Sequence, residues 1–405
     1  MIVTKSRLLT SILKPQSKIA FPSTLLNVRL KSSTALPDID SSKLKVTMNS
    51  ELKKKPLNKD LLFGHSFTDH MLTVEWTATK GWEAPKILPY GKLSLDPSAV
   101  VFHYAIECFE GMKAYIDKQG KIRLFRPDMN MNRLASSCKR LTLPAFDRKQ
   151  FLECVKELLK IDKSWIPKEK GYSLYIRPTA IGTQNSLGVG PSNKALMFVI
   201  CSPVGPYYKT GFSAVSLYAT RDYVRAWPGG TGDAKLGSNY ASGIRPQIEV
   251  AKDGYQQILW MFGKEDYVTE VGTMNFFCYW INEQGEKELC TPPLDGTILP
   301  GVTRNSILSL ARDWKEFKVV EKNITLPEIK KASTENRLLE LFGAGTAAIV
   351  SPIKNIRYND FDIKVPLDPK DPKAQAGPLT TRFAETIMGI QYGDINHKDW
   401  SVVID

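Results

Sequence analysis

Arg225-Ala-Trp-Pro-Gly-Gly-Thr-Gly-Asp-Ala-Lys235-Leu-Gly-Ser-Asn-Tyr240 surrounds one lysine with four glycines and places a tyrosine five residues beyond it. A lysine becomes a useful nucleophile only when it is held still, partly desolvated and close to something that depresses its pKa. Glycines allow the tight backbone turns and the close approach of a bulky ligand that such a site requires. A nucleotide-binding P-loop would need glycine directly before the lysine and Ser or Thr directly after it, whereas Ala234 and Leu236 stand there. A glycine-rich surface turn carrying a solvated lysine remains open on this segment alone.

The next signal lies downstream. Tyr267-Val-Thr-Glu270-Val-Gly-Thr273-Met-Asn275-Phe-Phe-Cys-Tyr-Trp-Ile281 reads as two strands broken at Gly272. A glutamate in so apolar a run is costly to bury without a partner for its charge. Glu270 either meets a nearby Arg or Lys, or faces the protonated ring nitrogen of pyridoxal phosphate.

Taken together, the lysine segment and Glu270-Val-Gly-Thr-Met-Asn275 resemble the branched-chain aminotransferases of the mitochondrial type, members of the fold-type IV pyridoxal-phosphate enzymes. Other segments support the resemblance in order: Phe67-Thr-Asp-His-Met-Leu-Thr-Val-Glu-Trp76, His103-Tyr104, Phe109-Glu-Gly-Met-Lys-Ala114, and Phe125 to Arg133. They continue with Ser173 to Pro178, Leu294 to Arg304, and Phe342-Gly-Ala-Gly-Thr346-Ala347. The match runs from about Leu61 to the C-terminus.

The resemblance implies a mixed α/β (α+β) protein of two domains, with pyridoxal 5′-phosphate in the cleft between them. It also implies a homodimer whose partner contributes to each site. Lys235 would be the catalytic Schiff-base lysine and proton shuttle, and Tyr240 would hydrogen-bond the cofactor's phenolic oxygen. Glu270 would pair with the ring nitrogen; Arg133, Val302, Thr303 and Thr346 would hold the phosphate. Gly301-Val-Thr303 stands just before an apolar-periodic run, where a helix N-terminus offers free N–H donors to a dianion.

For the substrate, Phe63, Phe109, Tyr104, Tyr175 and Tyr207 match the family's aromatic box, although aromatic residues in such settings are ordinarily core. The α-carboxylate would meet Tyr104, the Thr273 hydroxyl and the Ala347 N–H, and Arg177 would accept the second carboxylate of glutamate. The implied reaction moves an amino group between leucine, isoleucine or valine and 2-oxoglutarate in a ping-pong cycle. The enzyme rivals are a D-amino-acid aminotransferase and an aminodeoxychorismate lyase; neither carries the Phe67–Met71 segment and the Tyr175-x-Arg177 pair in this arrangement.

With 405 residues, 42% hydrophobic and 24% charged, the chain has the composition of a two-domain globular protein. No run approaches the eighteen apolar residues of a membrane span. Six of the net +13 charges fall before Asp38, on Lys5, Arg7, Lys14, Lys18, Arg29 and Lys31, and no acid accompanies them. With Ile2, Leu8, Leu9, Ile12 and Leu13 able to share one helical side, this leader reads as a mitochondrial transit peptide with a flexible lead, residues 1–37, or as a basic tail. The charge therefore gives no reason to expect nucleic acid as a partner.

Six scattered cysteines without a Cys-x-x-Cys pair and four histidines without zinc-like spacing imply no structural metal. Animal relatives carry a Cys-x-x-Cys switch where this chain has Ala348 and Ser351.

Helical periodicity gathers Met131, Leu134, Ala135, Cys138 and Leu141, and again Phe151, Val155, Leu158 and Leu159. Further helices are expected near 236–252, 302–317 and 380–391, and Ser50 to Asp60 reads as a mobile polar lead-in. The Pro/Gly-dense connection marks the boundary: a small domain over 61–205, a linker over 206–211 and a large cofactor domain over 212–405.

Overall fold

The structure, a computed structural model, describes residues 36–205 and 213–404. Nearly all of the leader and the 206–211 linker lie outside the described residues.

Two sheets organise the chain. The first runs in the order Lys45–Val46, Lys86–Pro89, His70–Thr77, Lys194–Val204, Ser173–Gly182, Met112–Ile116, Ile122–Phe125 and Ser401–Ile404. Gly81–Trp82 adds to His70–Thr77, and Glu107–Phe109 adds to Ser173–Gly182. Two helices cover this sheet. Pro127–Arg140 starts on proline, which suits a first helical position because its missing N–H would have no partner there. Arg148–Ile161 is capped by Asp147, whose carboxylate accepts from the N–H groups of Lys149 and Gln150. The periodic residues Met131, Leu134, Cys138, Phe151, Val155, Leu158 and Leu159 are all in the core beneath them.

The second sheet begins as a ring of six strands. Tyr267–Val271, Gln257–Phe262, Val215–Thr220, Ile349–Tyr358, Leu338–Gly345 and Met274–Ile281 pair in turn, and the hairpin at Gly272 joins the last to the first. Lys287–Thr291 and Lys318–Glu321 extend it beyond Met274–Ile281. The helix Val302–Trp314 and the helix Pro378–Gln391 share a core with Phe277, Phe342 and Phe383. The buried Glu340 carboxylate accepts from the backbone N–H of Leu379 and Thr380, each at 2.8 Å, and so closes the start of the second of these helices.

Four expectations need correction. Residues 236–252 are not one helix: Leu236 is in extended backbone, bridged to Cys108, and the helices Ser238–Ala241 and Ile244–Lys252 are separated at Gly243. The segment from Ser50 is not a loose lead-in, because the buried side chains of His70 and Asp69 accept from the N–H groups of Asn49 (2.9 Å) and Lys53 (2.8 Å). The flexible leader does not extend to residue 37, since Pro37 O accepts the Trp82 N–H. Finally, the end of the chain leaves the second domain, and Ser401–Ile404 pairs antiparallel with Ile122–Phe125 at the edge of the first sheet.

Trp400 leads into that last strand. It is buried, meets Phe125 edge-on at 5.9 Å between ring centroids and carries the Arg126 guanidinium over its face at 4.2 Å. Trp400→Ala should therefore lower the unfolding free energy by about 3 kcal/mol, the usual cost of truncating a buried aromatic residue. Urea denaturation followed by circular dichroism measures it, and an unchanged midpoint would show that the C-terminal strand adds nothing to the fold.

Candidate active site

The lysine segment is held by the first domain. Cys108 bridges Leu236, the Phe109 N–H donates to Lys235 O at 3.0 Å, and the Glu107 carboxylate accepts the Gly237 N–H at 3.0 Å. From the helix Pro127–Arg140, the Ser137 hydroxyl accepts the Lys235 N–H at 2.9 Å. Asn239 closes the loop from within, its amide donating to Thr231 O and Ala234 O at 2.8 Å each. A Cβ on Gly237 would lie 2.1 Å from Glu107 Oε2, so only glycine lets the carboxylate approach this closely. Burial raises the Glu107 pKa, against the opposing pull of the Gly237 N–H and the Arg177 charge.

So placed, Lys235 projects into a cavity between the sheets. Its Nζ donates to the Tyr240 hydroxyl at 3.0 Å and lies 4.9 Å from the centre of the Phe109 ring. Phe63 and Tyr175 line the same cavity and meet edge-on at 4.8 Å. Arg177 lies over Phe109 at 4.4 Å and donates to the Tyr175 hydroxyl at 3.0 Å, while its Nε is buried without a hydrogen-bond partner.

Across the cavity stands Glu270, 2% exposed. Arg225 Nε lies 2.8 Å from its Oε2, the arginine partner that one sequence alternative expected, and Glu270 also lines the cavity. Its Oε1 accepts from the Leu299 N–H at 2.8 Å and the Asn275 amide at 3.2 Å. Burial pushes its pKa up and the Arg225 charge opposes that rise.

At one end the cavity meets Val302 and Thr303, the first turn of the helix Val302–Trp314, whose N-terminus has no side-chain cap. Arg133 reaches the same end. Its Nε and Nη2 fork onto the fully buried Glu110 at 2.6 and 2.9 Å, and Nη1 donates to Pro300 O at 3.1 Å. Three of the five guanidinium N–H groups are thereby used, leaving two for a ligand. Burial alone would raise the Glu110 carboxyl, but the charge and hydrogen bonds of Arg133, with help from Lys235 and Asn130, together hold it below its ordinary value.

Thr346, Ala347 and Thr273 complete the lining. Tyr104 does not join them in its own chain: it is 37% exposed and its hydroxyl donates to Leu187 O. Tyr207 lies outside the described residues.

Sequence reasoning missed Glu107, Glu110, Ser137, Arg225 and Asn275 as members of the site. Glu110 carried the same signal as Glu270, an acid in an apolar setting, and Arg225 opens the glycine segment itself. All six cysteines are free and buried, and Ser351 is buried within its strand. Among the described residues no cluster of His, Cys, Asp or Glu has the arrangement of a metal site, and no helix is long and apolar enough to cross a membrane.

The sequence profile of the family described as Amino-transferase class IV matches residues 107–356, more than half of the chain and all the elements that build the cavity apart from Phe63. The branched-chain-amino-acid aminotransferase of Dictyostelium discoideum is 59% identical over 88% of this chain and 94% of its own length. The cytosolic branched-chain-amino-acid aminotransferase of Saccharomyces cerevisiae is 54% identical over 91% of this chain and 98% of its own. Among solved structures, the branched-chain amino acid aminotransferase of Thermobaculum terrenum in its PLP form shares the fold, with a TM-score of 0.63 at 18% identity over 82% of this chain and 98% of that one. The chain belongs to the class IV aminotransferases and, within them, to the branched-chain-amino-acid aminotransferases.

Gly301 caps the helix at the cavity end, and a Cβ there would lie 2.0 Å from Asn275 Oδ1, whose amide also holds Glu270. Gly301→Ala should displace the helix N-terminus and weaken pyridoxal phosphate retention about tenfold or more, the loss of one or two charge-assisted hydrogen bonds. Equilibrium dialysis with cofactor absorbance reads this directly. Wild-type retention would remove the helix N-terminus from the cofactor site.

Proposed function

We propose that the protein is a transaminase that moves the amino group of L-leucine, L-isoleucine or L-valine reversibly to 2-oxoglutarate, with pyridoxal 5′-phosphate as cofactor. The observation that carries this reading is the 3.0 Å contact of Lys235 Nζ with the Tyr240 hydroxyl, inside a cavity with an aromatic wall and several cations. The donor set fits the cofactor: an uncapped helix N-terminus beside Arg133, Thr303 and Thr346 suits a phosphate dianion, and a buried carboxylate opposite suits a protonated ring nitrogen.

When bound, pyridoxal phosphate supplies the electron sink for negative charge developing at the amino acid Cα. Lys235 Nζ takes the proton from Cα and returns it, a task for one flexible amine held at the right place. Tyr240 accepts from that amine and limits where it can point. Glu270, kept in place by Arg225, the Leu299 N–H and Asn275, stabilises a proton on the ring nitrogen. Phe63, Phe109 and Tyr175 exclude water around a branched side chain. The Thr273 hydroxyl and the Ala347 N–H receive the α-carboxylate, and Arg177 receives the distal carboxylate of glutamate, so that one pocket serves both substrates in turn.

The position of Tyr104 supports a homodimer in which the tyrosine of one subunit completes the site of the other. It stands on an exposed apolar surface with Phe102, Leu187 and Val189, the last of which is 85% exposed. The acid-free basic leader supports a mitochondrial destination for the enzyme.

Lys235→Ala should reduce transamination of leucine with 2-oxoglutarate about a thousandfold or more, since no other group takes over the Cα proton. Steady-state kinetics with each L- and D-amino acid tests the reading; near-normal turnover in the variant, or a preference for D-substrates, would overturn it.

Arg177→Ala separates the two half-reactions. The KM for 2-oxoglutarate should rise about tenfold or more, whereas the half-reaction with leucine, which presents no charge there, changes far less. Equal losses in single-turnover measurements of both halves would instead make Arg177 a support for Tyr175.

A further inference from the structure

Lys113 is the second residue of the strand Met112–Ile116, directly opposite Tyr175 of Ser173–Gly182. It is 8% exposed, yet it makes no ion pair among the described residues. Its Nζ crosses from the first sheet to the second and donates to Ala347 O at 2.8 Å. Burial alone brings its pKa down to about 8, with no acidic neighbour to raise it again. The other buried cations of this region differ: Arg133 is forked onto Glu110, and Arg225 is paired through its Nε with Glu270. A buried ammonium balanced only by a carbonyl is costly to the fold. An anion arriving from outside the chain is its natural complement.

Ala347 belongs to the turn Thr346–Ala348 at the cavity wall. Just beyond it, Ile349 has φ +62°, and the Val350 N–H donates back to Ala348 O at 2.8 Å. A β-branched residue at positive φ in so tight a turn is strained, and such strain persists only where the surroundings hold it. Lys113 is the side chain that grips this turn from the opposite sheet. Because a trans peptide is planar, seating Ala347 O on Lys113 fixes the Ala347–Ala348 plane, and through it restricts the neighbouring Thr346–Ala347 peptide, whose Ala347 N–H is the one read as receiving the α-carboxylate.

We propose that Lys113 is a positioning residue for substrate carboxylate recognition, locking the Ala347–Ala348 peptide across the cleft and placing an unbalanced positive charge behind the turn. This rests on the reading of that turn as the α-carboxylate site. Lys113 is not among the residues that line the cavity, so it acts on binding, through the turn, more than on chemistry. The cavity wall shows the division: Ala347 and Ala348 line it, while Lys113 stands behind them.

The test compares wild-type holoenzyme with Lys113→Met, which keeps the length of the side chain without its charge or donors, and with Lys113→Arg, which keeps both. Calorimetric titration with 4-methylpentanoate, a branched aliphatic carboxylate without an amino group, reads affinity apart from turnover. Bound-cofactor absorbance and thermal unfolding are recorded beside it. In Lys113→Met, the Kd for this acid and the KM for leucine should both rise about tenfold or more, the worth of one charged hydrogen bond, with kcat changed much less. Cofactor content should hold, and the melting temperature should stay level or rise as a buried charge is removed. Lys113→Arg should recover most of the affinity.

Wild-type affinity in Lys113→Met overturns the inference, as does a loss that comes only with lost cofactor and lower melting temperature. Should Lys113→Met fail to fold, a folded Lys113→Arg with near-normal Kd supports the inference and one with weakened Kd overturns it. A wild-type enzyme that neither binds the acid nor transaminates leucine would instead overturn the carboxylate reading of the turn, and the inference with it.

Discussion

The contact on which the site depends is a short backbone stitch between a strand of the first sheet and the loop that carries Lys235. Glu107, Cys108 and Phe109 engage Gly237, Leu236 and Lys235 respectively, by a carboxylate–amide bond, a β-bridge and a backbone hydrogen bond. Together with Ser137 this satisfies polar backbone that would otherwise lie unpaired between the domains. The lysine is thus fixed at its main chain while its side chain stays free to reach Tyr240. A nucleophile that must also move a proton needs this separation of a fixed root from a mobile tip.

Around that root the charges are arranged in matched and unmatched sets. Glu110 with Arg133 and Glu270 with Arg225 are buried pairs, in which each acid offsets the desolvation of its arginine and fixes its direction. Lys113, Arg177 and Lys235 make no such ion pair among the described residues. Positive charge without a matching acid therefore gathers in and behind the cavity wall, while the paired arginines hold Glu110 and Glu270 in fixed directions.

Much of this was legible in the sequence, and the exceptions have physical reasons. The Glu270 hairpin and the helix start at Gly301 are local features, in which residue type and spacing dictate the backbone, and both fold where expected. Residues 236–252 were read as one helix because periodicity does not register that Leu236 is claimed by a strand from 128 residues earlier in the chain. The anchoring of Asn49 and Lys53 by His70 and Asp69, and the return of Ser401–Ile404, are likewise long-range contacts that polar composition does not reveal. Arg225 and Asn275 escaped notice for a related reason: each looks ordinary alone, and only the folded hairpin shows that both hold Glu270. Tyr104 matched its motif, yet the fold carries it to the surface.

The chain's last strand has a consequence for how the protein is made. The first sheet draws on residues from Lys45 onward, yet its outer edge is supplied by Ser401–Ile404, so that edge stays unpaired until this distant segment has been made. Until then Ile122–Phe125 presents an open edge, the kind of surface that other chains can pair with. Closure waits on the pairing of Ile122 with Ile404, a contact between distant parts of the sequence of the kind that slows folding.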